Sequence, residues 1–133
     1  MRVVIVGCGR VGSRLAGELS AAGHDVRVID IDQRAFARLD PGFGGDQYIG
    51  NGVDEDVLRA AGIEGADAFA AVTNGDNRNI MAAQLAKVIF KVPRVICRIY
   101  DPIREAVYRE LGLHTMSPTT MGASFIKEYL ESN

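Results

Sequence analysis

Residues 3–19, VVIVGCGRVGSRLAGEL, constrain the fold more than any other part of the chain. An unbroken apolar run leads straight into three glycines and then into apolar residues at helical spacing. A run with no polar alternation suits a strand covered on both faces, as in parallel sheets. Gly7, Gly9 and Gly12 form G-x-G-x-x-G. That pattern is weak alone, but here it follows a predicted strand and opens a predicted helix, the context that gives it meaning. In that setting Gly7 permits a tight turn, Gly9 lets backbone approach a pyrophosphate, and Gly12 lets helix and strand pack closely. Amides at the helix start then point at phosphate oxygens, with Arg10 and Val11 beside them.

The rest of the chain repeats the alternation. Strand patterns fall at 2–6, 25–30, 46–50, 67–73, 94–99 and, more briefly, 114–116. Helical patterns fall at 10–21, 33–39, 54–62, 76–90, 103–111 and about 120–130. Asp54 reads as a helix cap and Gly62 as a stop. Val11, Leu15, Ala16 and Leu19 read as the core stripe of the first helix. Right-handed crossovers leave one natural topology: an α/β, Rossmann-like doubly wound parallel sheet of order 3-2-1-4-5-6 with a C-terminal helix. A length of 133 residues predicts one such domain. Its expected division is 1–118 for nucleotide binding and 119–133 for a helix that packs or joins an interface.

A second test of the glycine loop is an acid about 20 residues on, at the end of the second strand. Asp30 stands there, followed by Ile31 and Asp32. A carboxylate at that place accepts from ribose hydroxyls and repels a 2′-phosphate. The expected ligand is therefore NAD(H) or a simple adenine nucleotide, with NADP disfavoured. Other strand ends supply Asn51 and Gly52, Thr73 and Asn74, and Arg98. Asn51 could face an adenine edge, and Thr73 with Asn74 could meet ribose or the far half of a dinucleotide; all three suit turns equally well. Arg10 could turn to solvent or reach phosphate, in this subunit or a neighbour. Arg98 is unusual as a charge inside a sheet. A salt bridge to Asp76 or Asp101 would explain it, as would contact with phosphate or with another subunit.

Bulk properties exclude several classes. The net charge is −2, which argues against a nucleic-acid binder. No apolar stretch approaches the ~20 residues of a membrane span, so direct insertion is not expected. Arg2 leads at once into a strand-like run, and Cys8 and Cys97 are the only cysteines, so the sequence reads as cytoplasmic with reduced thiols. Catalytic equipment is not visible. His24 and His114 lie away from the predicted site loops, no Cys/His cluster suggests a metal, and no second region could hold a substrate. A non-enzymatic binding protein is the expectation. Ile80, Met81, Leu85, Val88, Ile89 and Phe90 spread around nearly the whole of helix 76–90, so one face should meet the sheet and another a second subunit. Helices 76–90 and 103–111 are the expected dimer interface. The last helix carries Met121, Phe125, Ile126, Tyr129 and Leu130 on one stripe, to fold back or to cross to a partner.

Four stretches carry a more specific likeness: VVIVGCGRVG, VRVIDID, DVLRAAGIEGADAFAAVTNGDNRNIMAAQLAK and VPRVICRIYDP. With them the chain resembles the nucleotide-binding N-terminal lobe of the RCK/KTN (TrkA-N) domains that regulate potassium transport. The resemblance implies binding of NAD(H), ATP or ADP, or another AMP-type nucleotide, by homo-dimers or larger rings. It also implies a partner, an integral membrane potassium transporter or channel subunit, and a cytoplasmic location peripheral to the inner membrane through that partner. Gly7, Gly9, Gly12 and Arg10 would meet phosphate, Asp30 ribose, and Thr73, Asn74 and Arg98 the rest of the pocket. Two departures stand out. The family's Gly-Asp-Ala-Thr after the third strand reads GNGV here, so Asn51 replaces an acid. Many relatives also carry a further C-terminal lobe with no counterpart in this sequence. Two rival readings stand beside this one: the cofactor-binding half of an NAD-dependent oxidoreductase, and a nucleotide sensor for another partner such as a transcription factor.

Overall fold

A computed structural model describes all 133 residues. Its elements run β1 (Arg2–Val6), α1 (Arg10–Ala21), β2 (Asp25–Asp30), a 3₁₀ helix (Gln33–Arg38), β3 (Asp46–Ile49), α2 (Glu55–Ala60) and β4 (Ala68–Ala71). Then come α3 (Asp76–Gln84), a π-helical turn (Leu85–Ile89), β5 (Arg94–Arg98), α4 (Pro102–Glu110), β6 (His114–Met116) and α5 (Pro118–Glu131). The six strands form one sheet of order β3-β2-β1-β4-β5-β6, and every pairing is parallel.

Alternation along β1 divides the core. Val3 and Ile5 face one side, where they pack with Val26, Val28 and Ala70 under Ala16 of α1 and Phe36 of the 3₁₀ helix. Val4 and Val6 face the other side with Phe69, Ala71 and Cys97, beneath Leu58 of α2 and Ala82, Ala83 and Ala86 of the α3 segment. Burying both faces of the central strands is what an unbroken apolar run provides. Each large core side chain contributes about 1.5–3 kcal/mol by leaving water.

Asp54 caps its helix as expected, and Asp101, considered from sequence only as a partner for Arg98, caps another. The Asp54 side chain accepts from the Asp56 amide at the head of α2, and Asp101 accepts from Ile103 at the head of α4. Gly62 ends its turn at φ +83°.

Two local readings need correction and two gain detail. The 33–39 segment, read as a short helix, is 3₁₀. Helix 76–90 is not one regular helix but α3 followed by the π turn, where the Lys87 ammonium bonds the Gly112 carbonyl across to the end of α4. The buried line of α1 is Gly12, Ser13 and Ala16, while Val11 is 40% exposed and faces a cleft rather than the core. The C-terminal helix does not fold back: no residue of α5 from Thr119 onward is better than exposed. Met81, Val88 and Ile89 on the α3 segment, Ile103 and Val107 on α4 and Leu111 just after it are also uncovered.

Candidate functional site

One cleft of about 650 Å³ opens at the carboxyl ends of the strands. Its size falls within the ~300–1,000 Å³ usual for small-molecule sites. The site predicted from sequence converges on it: Gly7, Gly9, Arg10, Val11, Asp30, Ile31, Asn51, Gly52, Thr73, Asn74 and Arg98 all line its wall. Gly12 does not, and the three glycines of the loop prove to have separate duties.

Gly7 has φ +108°, which disfavours any other residue, and a Cβ on it would lie 2.9 Å from the Thr73 amide nitrogen. A Cβ on Gly12 would lie 1.8 Å from the Gly7 carbonyl oxygen. Gly12 is therefore where helix α1 rests on the loop. A Cβ on Gly9 would meet nothing within 4 Å, so the space above it is free for a ligand. Gly9 is also the N-cap of α1, with no side chain covering the helix start. The first amides of α1 thus face the cleft unoccupied, the arrangement that favours phosphate oxygens.

Asp30 does more than the sequence suggested. Its Oδ2 accepts from the Cys8 amide at 2.7 Å and its Oδ1 from the Asp32 amide at 2.8 Å. The carboxylate therefore ties the glycine loop to the end of β2. A carboxylate has about four acceptor positions, so two remain for ribose hydroxyls. Asp32 is occupied by Arg34, through Nε at 3.1 Å and Nη2 at 3.2 Å, and this pairing holds its carboxyl below the usual range. Cys8, beneath the loop and fully buried, has its thiol pushed up to about 11 by burial and by the Asp30 charge.

On the far side, several polar groups also bond within the chain. Asn51 Oδ1 accepts from the Val53 amide at 3.1 Å, leaving its amide nitrogen and one oxygen lone pair for a ligand. The Thr73 hydroxyl donates to Asn79 Oδ1 at 2.7 Å. Asn74 Oδ1 accepts from Arg78 at 2.8 Å.

Arg98 makes no salt bridge to Asp76 or Asp101. Its Nη2 donates to the carbonyls of Val72 at 2.6 Å and Thr73 at 2.8 Å, and its guanidinium stacks 4.7 Å from the Tyr100 ring centre. Asp76 instead accepts from the amides of Tyr100 and Asp101.

Sequence reasoning missed Asn79. It is fully buried, accepts from the Thr73 amide at 2.9 Å and donates to the carbonyls of Thr73 and Arg98, both at 2.9 Å. One side chain thus joins α3, β4 and β5 under the cleft floor. Helical spacing carried the signal: Asn79 shares its face with Ala82, Ala83 and Ala86. Arg38, Arg78 and Tyr100, also missed, line the cleft too. No group of three or more His, Cys, Asp or Glu is placed to hold a metal.

The profile of the TrkA-N domain matches residues 3–118. The chain belongs to the TrkA-N domain family. It is 55% identical over 117 residues to the Trk system potassium uptake protein TrkA of Streptomyces coelicolor, covering 88% of this chain and 52% of that protein. It is 33% identical over 131 residues to the TrkA homolog of Methanothermobacter thermautotrophicus, covering 98% of this chain and 60% of that one. The TrkA-N chain thus spans a little over half the length of these relatives. Among solved structures it superposes on the TrkA-N domain of the inner membrane protein ybaL from Escherichia coli with TM-score 0.85, at 23% identity and covering 98% and 96% of the two chains. The Shewanella denitrificans Kef C-terminal domain in AMP-bound form gives 0.81 at 22%, covering 100% and 83%. The GsuK channel bound to NAD gives 0.72 at 19%, covering 88% and 21%. At such identities the structural likeness speaks for the fold.

Proposed function

We propose that this TrkA-N chain is a nucleotide-sensing regulatory domain of a potassium uptake system. It binds an adenine nucleotide, NAD(H) or ATP/ADP with AMP-type ligands also accommodated, and NADP is disfavoured by Asp30 and Asp32. The observation that carries the reading is the cleft over Gly9: bare helix amides on one side, the half-free Asp30 carboxylate on the other. Relatives named as Trk potassium uptake proteins, and solved neighbours holding AMP or NAD, support it.

Residues 1–118 form the binding unit and α5 serves packing or an interface. The partner is an integral membrane potassium transporter or channel subunit. The chain acts from the cytoplasmic side, peripheral to the inner membrane through that partner; none of its own helices is long and apolar enough to span a bilayer. It assembles as a homo-dimer or higher ring through the uncovered apolar faces of α3 and α4, since a surface of this kind calls for a partner. Its role is not catalytic. Asp30 and Arg98 at the cleft hold backbone and Asp32 is paired with Arg34, and the cleft is lined by no histidine or cysteine.

Regulation is a population shift. Nucleotide alters the assembly only by as much as it prefers one subunit arrangement over another. The test is potassium uptake by cells lacking the chain and supplied with wild type or Gly9→Val. Restored uptake with wild type and its loss with a folded Gly9→Val protein support the reading. Equal uptake by both contradicts it.

A further inference from the structure

We infer that Asn51 is a covalent modification site: its side chain closes on the Gly52 nitrogen and is hydrolysed to isoaspartate and aspartate, which disables the cleft wall. The loss of binding rests on the nucleotide reading of the cleft; the reaction itself does not. Two Asn-Gly pairs stand at the cleft, Asn51 with Gly52 in its wall and Asn74 with Gly75 at its edge. A glycine after asparagine leaves the following amide nitrogen open to attack, because no side chain shields it. The fold treats the two pairs differently.

At the first pair the reacting groups are free. The Gly52 N–H takes part in none of the chain's hydrogen bonds. Asn51 is exposed, its Nδ2 has no partner, and its Oδ1 accepts from the Val53 amide at 3.1 Å. The ring closed by that bond contains both Asn51 Cγ and the Gly52 nitrogen, which holds the two reacting atoms near each other. The Val53 N–H also stabilises the charge that develops on Oδ1 during attack. No larger residue can replace the glycine: a Cβ on Gly52 would lie 2.2 Å from Val6 Cγ1. At the second pair the nitrogen is held. The Gly75 amide donates to Thr73 Oγ1 at 3.1 Å, and Gly75 is the N-cap of α3, its carbonyl accepting from the Asn79 amide at 3.0 Å. Asn74 Oδ1 is turned to Arg78 at 2.8 Å. Attack there first breaks a hydrogen bond and disturbs the start of a helix.

In the reaction, the Gly52 nitrogen bonds to Asn51 Cγ and gives up its proton. The Cγ–Nδ2 bond breaks and Nδ2 leaves as ammonia, so the side chain and backbone form a cyclic imide. Water then opens the imide, at Cγ to give aspartate or at the backbone carbonyl to give isoaspartate. One water is consumed, one ammonia is released, and nothing is oxidised or reduced. Either product adds a carboxylate to a cleft that already holds Asp30 and Asp32, against an anionic ligand. Isoaspartate also inserts a methylene into the backbone beside Gly52, where packing on Val6 leaves no slack.

The test incubates the full chain at pH 8 in three states: folded, folded with saturating ADP, and unfolded in urea. Peptide mass mapping with enzymatic isoaspartate methylation reads Asn51 and Asn74. In urea the two should convert at similar rates. In the folded chain Asn51 should convert roughly tenfold or more faster than Asn74, the scale of the hydrogen bond that must break to free the Gly75 nitrogen. Saturating ADP should slow Asn51 by roughly tenfold or more, as ligand holds the closed wall. In calorimetry the ADP-binding fraction of aged wild type should fall in step with the converted fraction. Asn51→Gln, whose longer side chain closes poorly, should keep its own starting value over the same period. Equal conversion of the two asparagines in the folded chain, or an Asn51 that stays intact while the urea sample converts, overturns the modification site. Conversion that leaves ADP binding unchanged overturns its effect on the cleft. Fresh wild type that binds no ADP overturns the nucleotide reading, and the peptide map still decides the modification.

Discussion

Replacing Gly12 by alanine tests the division of labour within the glycine loop. The new Cβ would stand 1.8 Å from the Gly7 carbonyl oxygen and 2.8 Å from its carbon. Both are backbone atoms, so no rotamer change relieves the clash; α1 and the loop must part by more than an ångström. Overpacking of this kind costs about 3 kcal/mol, the upper end of the usual range. Alanine returns about 1 kcal/mol of helix propensity relative to glycine. The net loss is about 2 kcal/mol, or a fall in melting temperature of about 8 °C for a domain of this size. Urea denaturation followed by circular dichroism reads it directly. The matched control is Gly9→Ala, whose Cβ meets nothing within 4 Å and whose φ of −80° suits any residue. It should leave the urea midpoint in place and weaken ADP binding. A Gly12→Ala protein as stable as wild type would refute the assignment of close packing to Gly12.

Other outcomes follow from the same geometry. Asp30→Asn keeps one acceptor oxygen for two amides, so it should cost about 1–2 kcal/mol of stability as well as nucleotide affinity, measured by urea denaturation and calorimetry. Asn79→Asp replaces a donor to the Thr73 and Arg98 carbonyls with a carboxylate and should cost about 3 kcal/mol or more; an unchanged denaturation midpoint would contradict the hub role. Cys8 and Cys97 each have thiols raised to about 11 by burial, so neither should react with a thiol reagent at pH 8 until the chain unfolds. Because their folded values lie above the unfolded one, their contribution to stability is complete below pH 9 and is lost as pH rises from 9 to 11. Val107→Glu in α4 with Leu111→Glu just past its end, both at exposed positions, should turn the assembly to monomer in sedimentation velocity without lowering the melting temperature.

The path of the chain was legible because its central strands are buried on both faces and because signals such as the Asp54 cap and the Gly62 and Gly112 stops punctuate its helices. The cleft was legible because a glycine loop and a strand-end acid are local patterns. What escaped depends on groups that a sequence does not display. Arg98 seeks the carbonyls of Val72 and Thr73, which every residue possesses, so its partners could not be named from side chains. Asn51, Thr73 and Asn74 suited either ligand or turn; the Thr73 hydroxyl is taken up by its neighbours and one oxygen contact is used on each asparagine, while both asparagine amide nitrogens stay free. The π turn at 85–89 preserves the apolar content of a helix, so periodicity alone reads straight through it. Asn79 sits at helical spacing from Ala82, Ala83 and Ala86 on the buried face, where an apolar setting reads as packing and conceals the backbone groups it bonds.

The most direct measurement is a titration of ¹⁵N-labelled protein with ADP, followed by amide chemical shifts. If adenine nucleotide sits where the geometry places it, the amides of Gly9, Arg10 and Val11 move first and furthest, together with Cys8, whose amide is bonded to Asp30. If ADP reaches saturating concentration and the loop from Gly7 to Gly12 stays unmoved, the cleft is not a nucleotide site and the regulatory reading falls with it.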